Sequence, residues 1–209
     1  MRKQPKQRRA TATVDAIVEA AARILVESGY ASASTNRIAE RAGVGIGSLY
    51  EYFPGKAAIV AELRRREMEK WYAKVRSWPG TGSPRETAHH IVSTRVRYAA
   101  ENPRLYVALE TEVPHAATAA VQGAIQDDFL TLSTGYLERY RQFLRPKAPI
   151  PFIAEFLTRW VSSSVHDFAM YSPHELSGDR LVNELVDAVT LYLFGDVAGP
   201  DTEGRLARD

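Results

Sequence analysis

The strongest constraint on this chain is a helical period that recurs along its length, with no convincing run of strand-like alternation set against it. Between about Thr11 and Ser28 the apolar residues Val14, Ile17, Val18, Ala21, Ile24 and Leu25 fall three and four apart. That spacing puts them on one face of a helix. It returns in Ile153, Phe156, Leu157, Trp160, Val161, Val165 and Phe168, and again in Leu181, Val182, Leu185, Val186, Val189 and Leu193. Glycine and proline cut the pattern at Gly29, Gly43, Pro54-Gly55, Pro103, Pro114, Pro146 to Pro151, and Ser172 to Gly178. The chain is therefore expected to be all-α, with about nine helices. No repeat of fixed period appears, so a solenoid scaffold is not indicated.

Charge is unevenly placed. Residues 1–76 hold 15 Lys/Arg against 8 Asp/Glu, a balance of +7, whereas residues 77–209 hold 12 against 17, a balance of −5. A basic front end on an acidic body points to an anionic partner for the front. The leading residues Arg2, Lys3, Lys6, Arg8 and Arg9 have no apolar stretch after them, so they do not read as a secretory signal. No run approaches the roughly 18 consecutive apolar residues of a membrane span. With no cysteine there is neither a disulfide framework nor a thiolate zinc site. The expected setting is the cytoplasm, with no membrane partner.

Within the basic part, three short helical stretches lie close together. Ser34 or Thr35 caps a stretch with Ile38, Ala39 and Ala42, Gly43 ends it, and Gly45 to Phe53 forms the next. Two short helices joined by a tight glycine turn make a helix-turn-helix. Ala39 and Ala42 let the helices cross closely, while Ile38, Val44, Leu49 and Phe53 pin the pair to the first helix. Ile46, Gly47, Ser48, Glu51 and Tyr52 remain on the outer face, free to enter a major groove about 12 Å wide.

The stretch from Gly29-Tyr30 through Thr35, Ile38-Ala39, Ala42-Gly43-Val44, Gly47-Ser48-Leu49-Tyr50, Tyr52-Phe53 and Lys56 resembles the TetR family of transcription regulators over about residues 12–60. The resemblance implies DNA contacts from Thr35, Arg37, Gly45, Ile46, Gly47, Ser48, Tyr50, Tyr52 and Lys56. Of these, Tyr50, Tyr52 and Lys56 would meet backbone phosphates. Ile46 departs from the polar reader common in the family, and its methyl groups suit the C5-methyl of thymine. The implied partition is a basic flexible arm at 1–10, a DNA-binding domain at 11–56, a helical ligand-binding and dimerisation domain at 57–198, and a polar tail at 199–209. The resemblance further implies a homodimer on a palindromic operator, most often a repressor, released by a small ligand. No cofactor and no metal are expected.

In the body, the last two apolar stretches are wider than a lone surface helix needs. Val161, Val165, Leu181, Leu185 and Val189 are the expected dimer interface, with Ser162, Ser163 and Ser164 allowing close approach. The aromatic residues Trp71, Tyr98, Tyr106, Phe129, Tyr136, Trp160 and Phe168, together with Arg95, are candidates for an apolar ligand pocket. An inward Arg95 would need an anion, such as Glu110, Glu112 or an acidic ligand. His89, His90 and His166 are further candidates for polar pocket contacts. Arg64, Arg65, Arg66 and Lys70 read as a solvated charge run. An enzyme finds no support: there is no HExxH, phosphate loop or Gly-x-Ser-x-Gly elbow, and Ser164, His166 and Asp167 cannot all face one substrate from a single helix.

Overall fold

Each break in the sequence pattern becomes a helix boundary. The computed structural model describes residues 4–78 and 82–195. The helices are α1 (Gln4–Ser28), α2 (Thr35–Ala42), α3 (Ile46–Tyr52), α4 (Lys56–Arg76), α5 (Pro84–Glu101), α6 (Pro103–Thr111), α7 (His115–Arg139), α8 (Ile150–Tyr171) and α9 (Arg180–Phe194). Short 3-10 turns fall at Arg141–Phe143 and Pro173–Ser177. Among the described residues there is no strand, and the all-α expectation holds. No helix among them is long and apolar enough to cross a membrane.

Local chemistry sets several of these ends. Ser34 Oγ accepts the Arg37 amide hydrogen and starts α2, and Gly43, at φ 67°, closes it in the left-handed region. The Ser-Pro-Arg-Glu run at 83–86 forms a reciprocal box. Ser83 Oγ accepts from the Glu86 amide, the Glu86 carboxylate accepts from the Ser83 amide at 2.7 Å, and Pro84 takes the first turn. Such caps contribute about 1 kcal/mol.

One expectation is corrected at the N-terminus. The basic arm expected to be flexible is helical from Gln4 onward, as a continuation of α1. Its first three residues, the tail at 199–209, and residues 79–81 of the glycine-rich loop lie outside the described residues.

The chain divides into two compact units that do not follow the expected boundary at residue 56. One is Met1–Met68 with Arg104–Gly123; the other is Glu69–Pro103 with Ala124–Asp209. In the first unit, Ile17, Ile24, Ile38, Leu49, Ile59 and Val60 are sealed from solvent, and Leu105, Ala108 and Leu109 of α6 join the same core. Each such aliphatic side chain stabilises the fold by roughly 1.5–3 kcal/mol. Part of the charge run on α4 belongs to this packing rather than to solvent. Arg64 is 5% exposed, donates to the Leu109 carbonyl and pairs with Glu110 at 2.9 Å. Arg66 bridges Glu62 and Asp15, tying α4 to α1. In the second unit α5 packs on α8 and α9 through residues such as Val92, Val96, Ile153, Val165 and Val186.

Candidate functional site

The helix-turn-helix is held from one side and open on the other. In α3 only Leu49 is buried, with no exposed surface at all, and Phe53 closes the helix behind it. Gly45, Gly47, Ser48 and Glu51 are exposed, as are Ile46 at 40%, Tyr50 at 53% and Tyr52 at 38%. An exposed row of large side chains next to two small ones is the surface that a groove-reading helix needs. The unit is braced by contacts that the hydrophobic pattern does not show. Arg41 of α2 forms a two-pronged ion pair with Glu27 of α1, and the Thr35 and Tyr50 hydroxyls lie 3.0 Å apart, linking α2 to α3.

Two of the cations expected at DNA also work within the chain. Arg37 donates to the Ser32 carbonyl at 3.2 Å and to Ser28 Oγ at 3.1 Å. Lys56 Nζ donates to the Tyr30 carbonyl at 3.1 Å and sits 4.1 Å from the centre of the Tyr30 ring. The Tyr30 amide in turn donates to the Glu112 carboxylate at 2.8 Å. Guanidinium and ammonium groups carry five and three donors respectively, so these bonds orient Arg37 and Lys56 without using them up. Glu112 is a residue that sequence reasoning placed only as a possible mate for Arg95; here it fixes the loop after α1.

The second unit contains a cavity of about 780 Å³ of empty space, part of it continuous with solvent. Of the eight expected pocket residues, Trp71, Arg95, Phe129 and Tyr136 line it, beside aliphatic groups such as Ile91 and Leu157. Trp71 and Phe129 rings lie 5.0 Å apart, and the Arg95 guanidinium lies 5.2 Å from the Trp71 ring centre and 5.7 Å from that of Tyr98. The other four are elsewhere. Tyr98 is buried beneath Arg95 outside the lining, and Tyr106 lies on α6 in the first unit. Trp160 stacks on Phe156 with ring centres 6.3 Å apart, and Phe168 is exposed. The histidines His89 and His90 line a separate polar cleft with Trp78, Arg85 and Arg97, where His90 stacks on the Trp78 ring at 4.8 Å.

The expected dimer residues are corrected. Val161, Val165, Leu181, Leu185 and Val189 are all 9% exposed or less within the single chain, and Val161, Val189 and Ser162 line the cavity. Side chains already covered have no surface left for a second copy. The outward apolar groups of α8 and α9 are instead Phe152 at 57%, Phe156, Phe168, Tyr171 and Leu191. Phe152, Phe156 and Trp160 form a stacked ladder along α8, and Tyr192 of α9 leans on Phe156 with ring centres 5.4 Å apart.

Residues 17–63 match the family model described as bacterial regulatory proteins, tetR family. The transcriptional repressor KstR of Mycolicibacterium smegmatis is 33% identical over 94 residues, which are 44% of this chain and 46% of that protein. The chain thus spans under half the length of that curated relative. Among solved structures, NalD, a repressor of a multidrug efflux pump in Pseudomonas aeruginosa, superposes with a TM-score of 0.74 at 19% identity, covering 90% of this chain and 98% of that one. The regulator FadR from Bacillus subtilis, in complex with stearoyl-CoA, superposes with a TM-score of 0.67 at 19% identity, covering 87% and 98%. These structures share the fold over about nine-tenths of the chain, while the family-model match is confined to residues 17–63. Over residues 17–63 the chain therefore resembles the tetR family of bacterial regulatory proteins, on a fold that solved regulators share.

Proposed function

We propose that this protein is a cytoplasmic transcription repressor that binds a palindromic operator as a homodimer and is released by a small, largely apolar ligand. The observation that carries this is α3, anchored by Leu49 on one side and bare on the other. Ile46, Gly47 and Ser48 then meet base edges, while Tyr50, Tyr52, Thr35, Arg37 and Lys56 serve the phosphates that supply most of the affinity. A two-fold pair would present its recognition helices about 34–36 Å apart, one turn of DNA. The outward aromatic ladder of α8 and the exposed Leu191 of α9 are the surface for the second copy. The cavity beside Trp71 supports the ligand half of the proposal, and the stearoyl-CoA complex of FadR from Bacillus subtilis is a precedent for an apolar occupant on this fold. A preference of the ligand for one arrangement of the dimer by about 1–3 kcal/mol suffices to couple the two sites.

The test is a gel shift of the full chain with the DNA upstream of its own gene across a range of salt. Retarded duplex is expected, with affinity falling as salt rises. Lys56→Ala should weaken binding to every sequence alike and lower the salt slope by about 1. Absence of any retarded duplex at low salt would overturn the proposal.

A further inference from the structure

Lys56 is held in place without being neutralised. Its Nζ donates one hydrogen to the Tyr30 carbonyl at 3.1 Å and lies 4.1 Å from the centre of the Tyr30 ring. An ammonium has three hydrogens, so two remain. A carbonyl dipole and a ring face orient a cation but cancel none of its charge. No carboxylate pairs with Lys56 among the described residues. The holder is itself held from a distant part of the chain. The Tyr30 amide donates to Glu112 at 2.8 Å, across 82 residues of sequence. Glu112 follows directly on α6 and belongs to the same compact unit as Tyr30 and Lys56. Its carboxylate reaches the loop because Gly29 has no side chain; a Cβ there would lie 2.6 Å from Glu112 Oε2. Arg37 grips the same loop at Ser28 and Ser32 and leaves the Tyr30 amide to Glu112.

Resting on the assignment of Lys56 to phosphate above, we propose that Glu112 is a positioning residue for DNA binding. It fixes the Tyr30 peptide, and through that peptide and its ring it holds the Lys56 ammonium in place for a phosphate oxygen. The sign of the effect sets this role apart from simple electrostatics. A carboxylate near DNA repels phosphate, so its removal ordinarily tightens binding. Removal of Glu112 should instead loosen it. The Tyr30 amide loses its acceptor, the carbonyl and ring lose their setting, and the lysine side chain must be ordered as it meets the phosphate. Glutamine at this position keeps an oxygen that accepts the Tyr30 hydrogen, without the charge.

The experiment is fluorescence anisotropy of the full chain with labelled duplex from upstream of its own gene, at one low salt concentration. Circular dichroism establishes that each variant is folded at the assay temperature. Glu112→Ala should weaken binding about two- to tenfold, the span of one hydrogen bond. Glu112→Gln should restore most of that loss. In a Lys56→Ala background, Glu112→Ala should cause no further loss, an outcome that general loosening of the fold would not give. Should Glu112→Ala not fold, Glu112→Asp takes its place in the cycle, since it keeps the charge but shortens the reach to the Tyr30 amide. Binding of Glu112→Ala as tight as wild type or tighter, or a loss of equal factor with and without Lys56, overturns the inference. The two failures are distinguishable. A wild type that binds no duplex, or one that Lys56→Ala leaves unweakened, removes the phosphate assignment and this inference with it. A wild type weakened by Lys56→Ala but indifferent to Glu112→Ala removes this inference alone.

Discussion

Two glycines in the first unit allow a matched pair of substitutions. Gly29 and Gly43 both adopt the left-handed region, at φ 73° and 67°, where a side chain costs roughly 1–2 kcal/mol. A Cβ added at Gly43 would meet nothing within 4 Å, so Gly43→Ala should cost only that conformational term, about 1–2 kcal/mol. A Cβ at Gly29 would lie 2.6 Å from Glu112 Oε2. The carboxylate can swing aside, but it then loses the 2.8 Å hydrogen bond from the Tyr30 amide. A bond of this kind, on an exposed side chain, contributes about 0.5–1.5 kcal/mol. Gly29→Ala should therefore exceed Gly43→Ala by that amount, for a total of about 1.5–3.5 kcal/mol. In a Glu112→Ala background the excess should vanish, since no carboxylate remains to be displaced. Urea denaturation followed by far-ultraviolet circular dichroism, at one fixed protein concentration, reads the free energy of the wild type and of each variant. Equal costs at the two glycines, or an excess that persists without Glu112, would refute this account of the loop.

Ile46→Ala and Ser48→Ala should change which bases are preferred in a binding-site selection, by about 1–3 kcal/mol per altered pair. Thermal stability should stay within about 0.5 kcal/mol, because both side chains are exposed. Phe156→Glu should shift sedimentation from dimer to monomer and leave the helical signal intact, whereas Val165→Glu, at a position with no exposed surface, should unfold the second unit. Hydrogen bonds from Arg65 and then Arg66 outweigh the opposing effect of burial and hold the Glu62 carboxyl at about 2, below its ordinary 4.5. A depressed carboxyl stabilises the fold above pH 4.5 and loses that contribution as pH falls toward 2. Wild-type melting temperature should therefore drop more steeply over that window than in Glu62→Gln.

The helix-turn-helix was readable in the sequence because its physics is local. Ser34, Gly43 and the Ile38–Leu49 pair all lie within the short stretch 34–49, and the structure gives them the cap, turn and core roles their types suggest. The helical start at Gln4 was not readable, since a polar segment carries no apolar stripe to mark a face. Which side of α8 and α9 faces outward was not readable because both helices are apolar on more than one side. Valines and leucines turned inward, aromatic rings turned outward, and composition alone does not rank the two faces. The same limit applies to the aromatic residues: one at helical spacing lines the cavity at Phe129 and another packs elsewhere at Tyr106. Arg64, within a run of three arginines, differs from its neighbours only through Leu109 and Glu110, some 45 residues away.

Helices α4 and α7 each contribute residues to both units. Shuffling this protein is therefore not a matter of cutting at a hinge. A fragment ending at residue 56 or 68 would strip α6 away and leave the hollow once filled by Leu105, Ala108 and Leu109 open to water. A chimaera that borrows this DNA reader must carry the segment 104–123 along with it, threaded back from the far side of a sequence whose intervening helices belong to the other half.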